Sequence, residues 1–324
     1  MSCCPWVNQA GSVVLSLLST VVASAVWADD ASLIAPGAKL ETVVGDLKFS
    51  EGPAWHPDGF LIFEDIPRNR ILKLDANDKV TVFREPSGHS NGLTFDREGR
   101  LLAAEGNSTD GGRRISRTEK DGRVVSLADK FNGKRLNSPN DLAVDAKGRV
   151  YFTDPRYGAR DGVEQDKESV YRIDPDGKLT RIIDSVSKPN GIAVSLDQKT
   201  LFVADNDPMA KRVLLAFDLA ADGSASRPRV LHDFGTGRGI DGMTLDSTGR
   251  IWATAGSKEK AGVHVFEISA DRNSAKLLTV VSTPEDPTNC TFGGPDRNVL
   301  YITTASSLFR IRTAAKGVAS LPGK

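Results

Sequence analysis

An all-β fold, a six-bladed β-propeller around a central channel, is predicted by three features of the 324-residue sequence. A hairpin unit occurs six times: a polar residue, an alternating strand, a turn, and a β-branched or aromatic strand. Its leading residues are Glu51, Asn91, Asn140, Asn190, Asp241 and Asn289, spaced 40 to 51 residues apart, the period of a propeller blade. No long segment beyond the N-terminal leader carries a helical period.

The third copy shows the unit most fully. Leu142 and Val144 alternate with Ala143 and Asp145, residues 145–148 supply turn chemistry, and 149–153 resume as a β-branched and aromatic strand. A blade cannot bury both faces by itself, so six of them close into a ring. The repeated hairpins then supply the inner strands, and all six leading residues converge on one mouth of the channel.

From the N-terminus, residues 11–28 are almost wholly apolar or small, and Ala25-Val-Trp-Ala28 precedes Asp29. This reads as a signal peptide over 1–28, cleaved after Ala28, although its n-region has no Lys or Arg. A membrane anchor fits less well, because the apolar stretch is short and carries serines. The expectation is one propeller domain over 29–324, periplasmic or secreted, with no stable membrane association after cleavage. Cys3 and Cys4 leave with the leader, so Cys290 alone remains and neither a disulfide framework nor a CxxC metal motif can form. Lys plus Arg and Asp plus Glu both number 42, so no net field recruits nucleic acid.

Residues 31–38 are predicted as an arm. Residues 40–44 read as a lone strand that joins the last blade and seals the ring, removing an open sheet edge. Outer strands follow at 70–75, 79–83, 169–174, 179–183, 213–217 and 262–268. Two polar, glycine-rich loops, 106–112 and 154–166, follow second strands and are expected at an end of the barrel, where loops shape access.

The chemistry follows from the convergent residues. Glu51, Asn190 and Asp241 offer two carboxylates and an amide carbonyl, a hard-oxygen set suited to Ca²⁺ or Mg²⁺. No His leads a repeat, which argues against a nitrogen-rich zinc site. Polar residues at strand starts also cap backbone groups, but six at one register favour a metal or ligand site. His89 adjoins Asn91 and is a candidate substrate contact. His56 and His264 read as structural, Cys290 as sheet packing. Gly88-His-Ser-Asn-Gly92 matches G-x-S-x-G, but it precedes a strand where that motif needs a helix.

Four motifs then carry a resemblance: Phe49-Ser-Glu-Gly-Pro-Ala-Trp55, Asn137-Ser-Pro-Asn-Asp141, Lys188-Pro-Asn-Gly191 and Ile240-Asp-Gly-Met243. They are similar to the gluconolactonase/senescence-marker-protein/luciferin-regenerating-enzyme family over roughly residues 40–312, in the right order and in successive blades. Gly133 to Asp141 and Tyr151-Phe-Thr-Asp-Pro155 resemble its bacterial gluconolactonase branch most. The resemblance implies a six-bladed propeller with a divalent metal in the channel, often calcium, with Zn²⁺, Mn²⁺ and Mg²⁺ open. It places ligands on Glu51, Asn190 and Asp241, the substrate-side asparagine on Asn140, and the proposed general base on Asp241. Two departures touch the substrate side. Ser138 stands where animal members have an arginine, and Glu105-Gly106-Asn107 stands where related bacterial sequences read Glu-His-Gly.

The sequence thus predicts metal-dependent hydrolysis of a sugar-acid lactone to the aldonic acid. Glu51 and Asp241 are the catalytic candidates, with Asn140, Asn91 and His89 on the substrate. The alternatives are a calcium-dependent propeller hydrolase of other esters or organophosphates, and a non-catalytic binding propeller.

Overall fold

A computed structural model describes residues 33–106 and 111–318. The leader, its cleavage point and Asn107 lie outside the described residues. Apart from strands and irregular connections, these hold only two three-residue 3₁₀ turns, Ile66–Arg68 and Lys258–Lys260.

Six antiparallel four-stranded sheets form the blades. The first runs Ser50–His56, Phe60–Asp65, Arg70–Leu74, Val80–Arg84. The second runs Ser90–Phe95, Leu101–Glu105, Arg114–Thr118, Val124–Ala128. The third runs Leu142–Val144, Val150–Asp154, Ser169–Ile173, Leu179–Ile183. The fourth runs Pro189–Val194, Thr200–Asn206, Arg212–Leu219, Ala225–Asp233. The fifth runs Met243–Leu245, Ile251–Ala255, Gly262–Ile268, Ala275–Ser282. The sixth takes only three strands from the C-terminal end, Pro287–Gly293, Val299–Thr304 and Leu308–Arg312. Its fourth is the N-terminal Glu41–Val44, antiparallel to Leu308–Arg312 with Glu41 opposite Arg310. The ring closes as the sequence predicts.

Hydrophobic contacts run between blades. Among the described residues six apolar clusters occur, each shared by two neighbouring sheets. Leu61 and Phe63 pack toward the sixth blade while Ile62, between them, packs toward the second. Alternate side chains of one strand therefore serve opposite faces, and second strands read as continuous apolar runs because both faces are covered.

The hairpin turns are built by aspartates. Oδ1 of Asp96, Asp145 and Asp246 each accepts backbone N–H bonds from two turn residues, such as Lys147 at 2.8 Å and Arg149 at 2.9 Å. Gly99, Gly148 and Gly249 then adopt φ of 75°, 77° and 89°, a region that favours glycine. A second set of buried acids ends the second strands and straps the segments that enter the blades. Asp65 accepts Lys48 N; Asp154 accepts Asn137 N and Ser138 N; Asp205 accepts Ser187 N and Lys188 N. These bonds hold the residues immediately before Glu51, Asn140 and Asn190.

Candidate active site in the central channel

Strand direction alternates within each blade, so the leading residues and the connections between second and third strands share one end of the ring. The two interrupting loops therefore flank the mouth, with 107–110 outside the described residues. In the third and fifth blades the regular inner strand starts at Leu142 and Met243, two residues later than the repeat pattern predicts. The second strand reaches past it: Asn140 N and Asp241 N donate to Thr153 O and Thr254 O, both at 2.9 Å.

Contacts between successive blades trace a closed inner ring. Gly52 presses so close to Asn91 O that a Cβ would stand 2.1 Å from it. Gly92 N donates to Asn140 O at 2.7 Å, Ile192 N to the Asp141 carboxylate, and Gly191 N to Asp241 O at 2.7 Å. Gly242 N donates to Thr288 O at 2.9 Å, and Thr288 Oγ1 to Ser50 O at 2.7 Å. A side chain at Gly52 would force these inner strands apart, and one at Gly242 would collide with the Asn289 amide.

Three carboxylates face one another inside this ring. Glu51 is 2% exposed, and burial, then the charges of Asp241 and Asp141, push its acid well above the usual range. Gly52 N, 2.7 Å from Glu51 Oε2, and the Asn289 amide oppose that shift. Burial pushes Asp141 up to about 7, against bonds from Leu142 N and Ile192 N. Burial also raises Asp241, while Arg238 and Asn190 pull it back. Asn289 Oδ1 accepts Cys290 N at 2.8 Å, so its Nδ2 is the end that donates to Glu51 and Asp141.

Asn190 Nδ2 donates to Asp241 Oδ1 at 2.7 Å and to the Tyr157 hydroxyl at 3.2 Å. Arg238 Nη2 donates to Asp241 Oδ2 at 2.6 Å, and its Nη1 is held by Gly256 O and Pro287 O. Asp241 thus accepts one bond on each oxygen and retains a lone pair on each. Asn140 is 7% exposed, and its Oδ1 is buried with no hydrogen-bond partner among the described residues. No group of three His, Cys, Asp or Glu side chains among the described residues is placed to hold a metal alone. An ion here would need amide oxygens as well.

The structure brings Glu51, Asn190 and Asp241 together, with Asn140 and Asn91 on the same ring. His89 sits one segment away, in the entry to the second blade. Its Nδ1 donates to Ile66 O at 2.8 Å, and its φ is 49°. Ser90, of the G-x-S-x-G match, is fully buried in a strand and bonds Glu64 Oε1, so it is no nucleophile. Cys290 packs into the sheet with Sγ 3.3 Å from Trp252 O. His56 stacks on Phe60 at 4.5 Å, and His264 lies in its strand. A cavity of about 1820 Å³ lies at the opposite end, between the hairpin turns of the sixth, first and second blades and the N-terminal arm. His56 lines it, but Glu51, His89, Asn91, Asn140, Asn190 and Asp241 do not.

Sequence reasoning missed three members of the site: Asp141, Arg238 and Tyr157. Asp141 adjoins Asn140 but stands where four of the six repeats have glycine, and that departure was the available signal. Nothing in the sequence orients Arg238 toward Asp241 or Tyr157 toward Asn190.

A profile of the SMP-30/Gluconolactonase/LRE-like region matches residues 49–306. The chain belongs to this family. A gluconolactonase of Zymomonas mobilis is 32% identical over 306 residues, covering 86% of this chain and 82% of its own. A pentonolactonase of Haloferax volcanii is 30% identical over 265 residues, covering 80% of this chain and 82% of its own. The solved structure of a gluconolactonase from Xanthomonas campestris superposes with a TM-score of 0.76 at 32% identity, covering 87% of this chain and 91% of that one. Family membership and the propeller agree with the resemblance read from the motifs.

Proposed function

We propose that this protein, a lactonase, hydrolyses a sugar-acid lactone to its open-chain acid at the channel mouth, with the help of a divalent cation. The lactonase relatives support the reaction class. The observation that carries the site is the meeting of Glu51, Asn190 and Asp241 in a buried ring that also holds Asp141, with Arg238 paired to Asp241.

The residues fit a hard cation. Glu51, Asp241 and the Asn190 amide oxygen are its proposed ligands, and the unpartnered Asn140 Oδ1 is a further buried oxygen nearby. Ca²⁺ suits this donor set best. When bound, the cation supplies Lewis-acid polarisation of the lactone carbonyl. Asp241 is the proposed base, and Arg238 keeps it in place at 2.6 Å. Asn140 and Asn91 orient the ring and His89 contacts the substrate. We also propose export, through removal of residues 1–28, to the periplasm or exterior.

The test is acid release from glucono-1,5-lactone by the mature protein, with chelator and then with added Ca²⁺. Activity lost with chelator and restored by Ca²⁺ is the expected result. Undiminished activity in chelator would refute the cation, and no lactone hydrolysis with metal bound would refute the substrate class.

A further inference from the structure

We infer that Tyr157, carried by the mouth loop 154–166, is a positioning residue that sets the orientation of the Asn190 amide toward the channel cation. The inference rests on the cation reading above. An amide has two N–H donors and one carbonyl oxygen. Both donors of Asn190 are used, at 2.7 Å on Asp241 Oδ1 and at 3.2 Å on the Tyr157 hydroxyl. Turning the amide over would set its oxygen against the Asp241 carboxylate and leave that acceptor unmatched. With the nitrogen held on two sides, Oδ1 is the end left for a cation.

The Tyr157 hydroxyl accepts from Asn190 and donates its own proton to Lys188 O, 3.4 Å away. Donation therefore runs outward from Asn190, to Asp241 on one side and through the Tyr157 hydroxyl to Lys188 O on the other. The loop itself is pinned. Lys188 Nζ donates to Arg156 O at 2.9 Å and pairs with Glu168 at 3.2 Å, and its ammonium lies 5.5 Å from the Tyr157 ring centroid. Arg156 is 5% exposed and donates to Ala159 O, Asn137 O and Asp161 O. It thereby ties the loop to its own tip and to the entry segment of Asn140. A loop otherwise readable as surface thus reaches a proposed ligand through one hydroxyl. Partners of this kind orient metal ligands, and their loss weakens metal affinity about 10- to 100-fold.

The experiment is calorimetric titration of Ca²⁺ into chelator-treated wild type, Tyr157→Phe and Arg160→Ala, with melting curves in chelator. Arg160 belongs to the same loop, is mostly exposed and pairs with Glu168 at 2.7 Å without touching Asn190. The expected result is a Kd about tenfold weaker in Tyr157→Phe, with Arg160→Ala within about twofold of wild type and the metal-free melting point nearly unchanged in both. Equal Ca²⁺ affinity in wild type and Tyr157→Phe would overturn the inference while leaving the cation site intact. So would an equal loss in Arg160→Ala, which would mark general loosening of the loop. Absence of Ca²⁺ binding in wild type would remove the cation reading and this inference with it.

Discussion

Glu51→Gln should stabilise the metal-free protein while disabling it. Glu51 is buried beside Asp241 and Asp141, and no basic side chain balances it directly. Glutamine has the same shape and can keep accepting Gly52 N, the 2.7 Å bond on Oε2. The change therefore removes an acid whose charged form is disfavoured by burial and by two neighbouring carboxylates, and little packing. Relief of this kind at a functional site is worth about 0.5–2 kcal/mol. In a chain of this size that is a rise of a few degrees in melting temperature. In Ca²⁺ the order should invert. Wild type gains about 2.7 kcal/mol at a calcium level 100 times Kd, and a variant lacking a charged ligand forfeits most of it. Lactone hydrolysis should fall roughly 100- to 1000-fold, the scale of losing one element of oxyanion stabilisation. The assay is a pair of melting curves, in chelator and in Ca²⁺, with initial rates on glucono-1,5-lactone. A variant less stable than wild type in chelator would mean that Glu51 is satisfied by the fold alone. Wild-type activity would exclude it from the chemistry.

Asp154→Asn keeps one acceptor for Asn137 N and Ser138 N where the aspartate offers two oxygens, so one buried N–H loses its partner. A loss of about 1–3 kcal/mol in denaturant unfolding is expected, with a raised KM because the segment before Asn140 loosens. Burial lowers the pKa of His232, and Asp233 opposes this only in part, so the native state resists a proton that the unfolded chain accepts near 6.5. Its contribution is present above that pH and lost as pH falls toward the folded value. His232→Phe should therefore lose less stability than wild type between pH 7.5 and pH 5.5, and equal slopes would contradict this. Burial, with the Asp141 and Glu51 charges, pushes the Cys290 thiol up, so a thiol reagent should leave the native protein unlabelled. In denaturant the mature chain should titrate to one thiol; three of the sequence's cysteines reacting would show that the leader is retained.

The sequence by itself determined the blades, their number and the closure of the ring. Those follow from local signals: the carboxylates of Asp96, Asp145 and Asp246 bond within their own hairpins, and the alternation around Leu61-Ile-Phe63 is set within three residues. The resemblance carried by four short motifs was legible for the same reason. It also determined that Glu51, Asn190 and Asp241 share a register, because register in a repeat is counted along the chain. Tertiary structure alone decided what surrounds them. Asn190 meets Tyr157 across 33 residues and Asp241 across 51, and Asn289 meets both Glu51 and Asp141 only through the closed ring. Even Arg238, three residues from Asp241, is aimed by carbonyls of Gly256 and Pro287 that the fold delivers. Strand and turn propensities are properties of neighbours in sequence. Charge compensation and amide orientation depend on distances between atoms that come together only when the blades close.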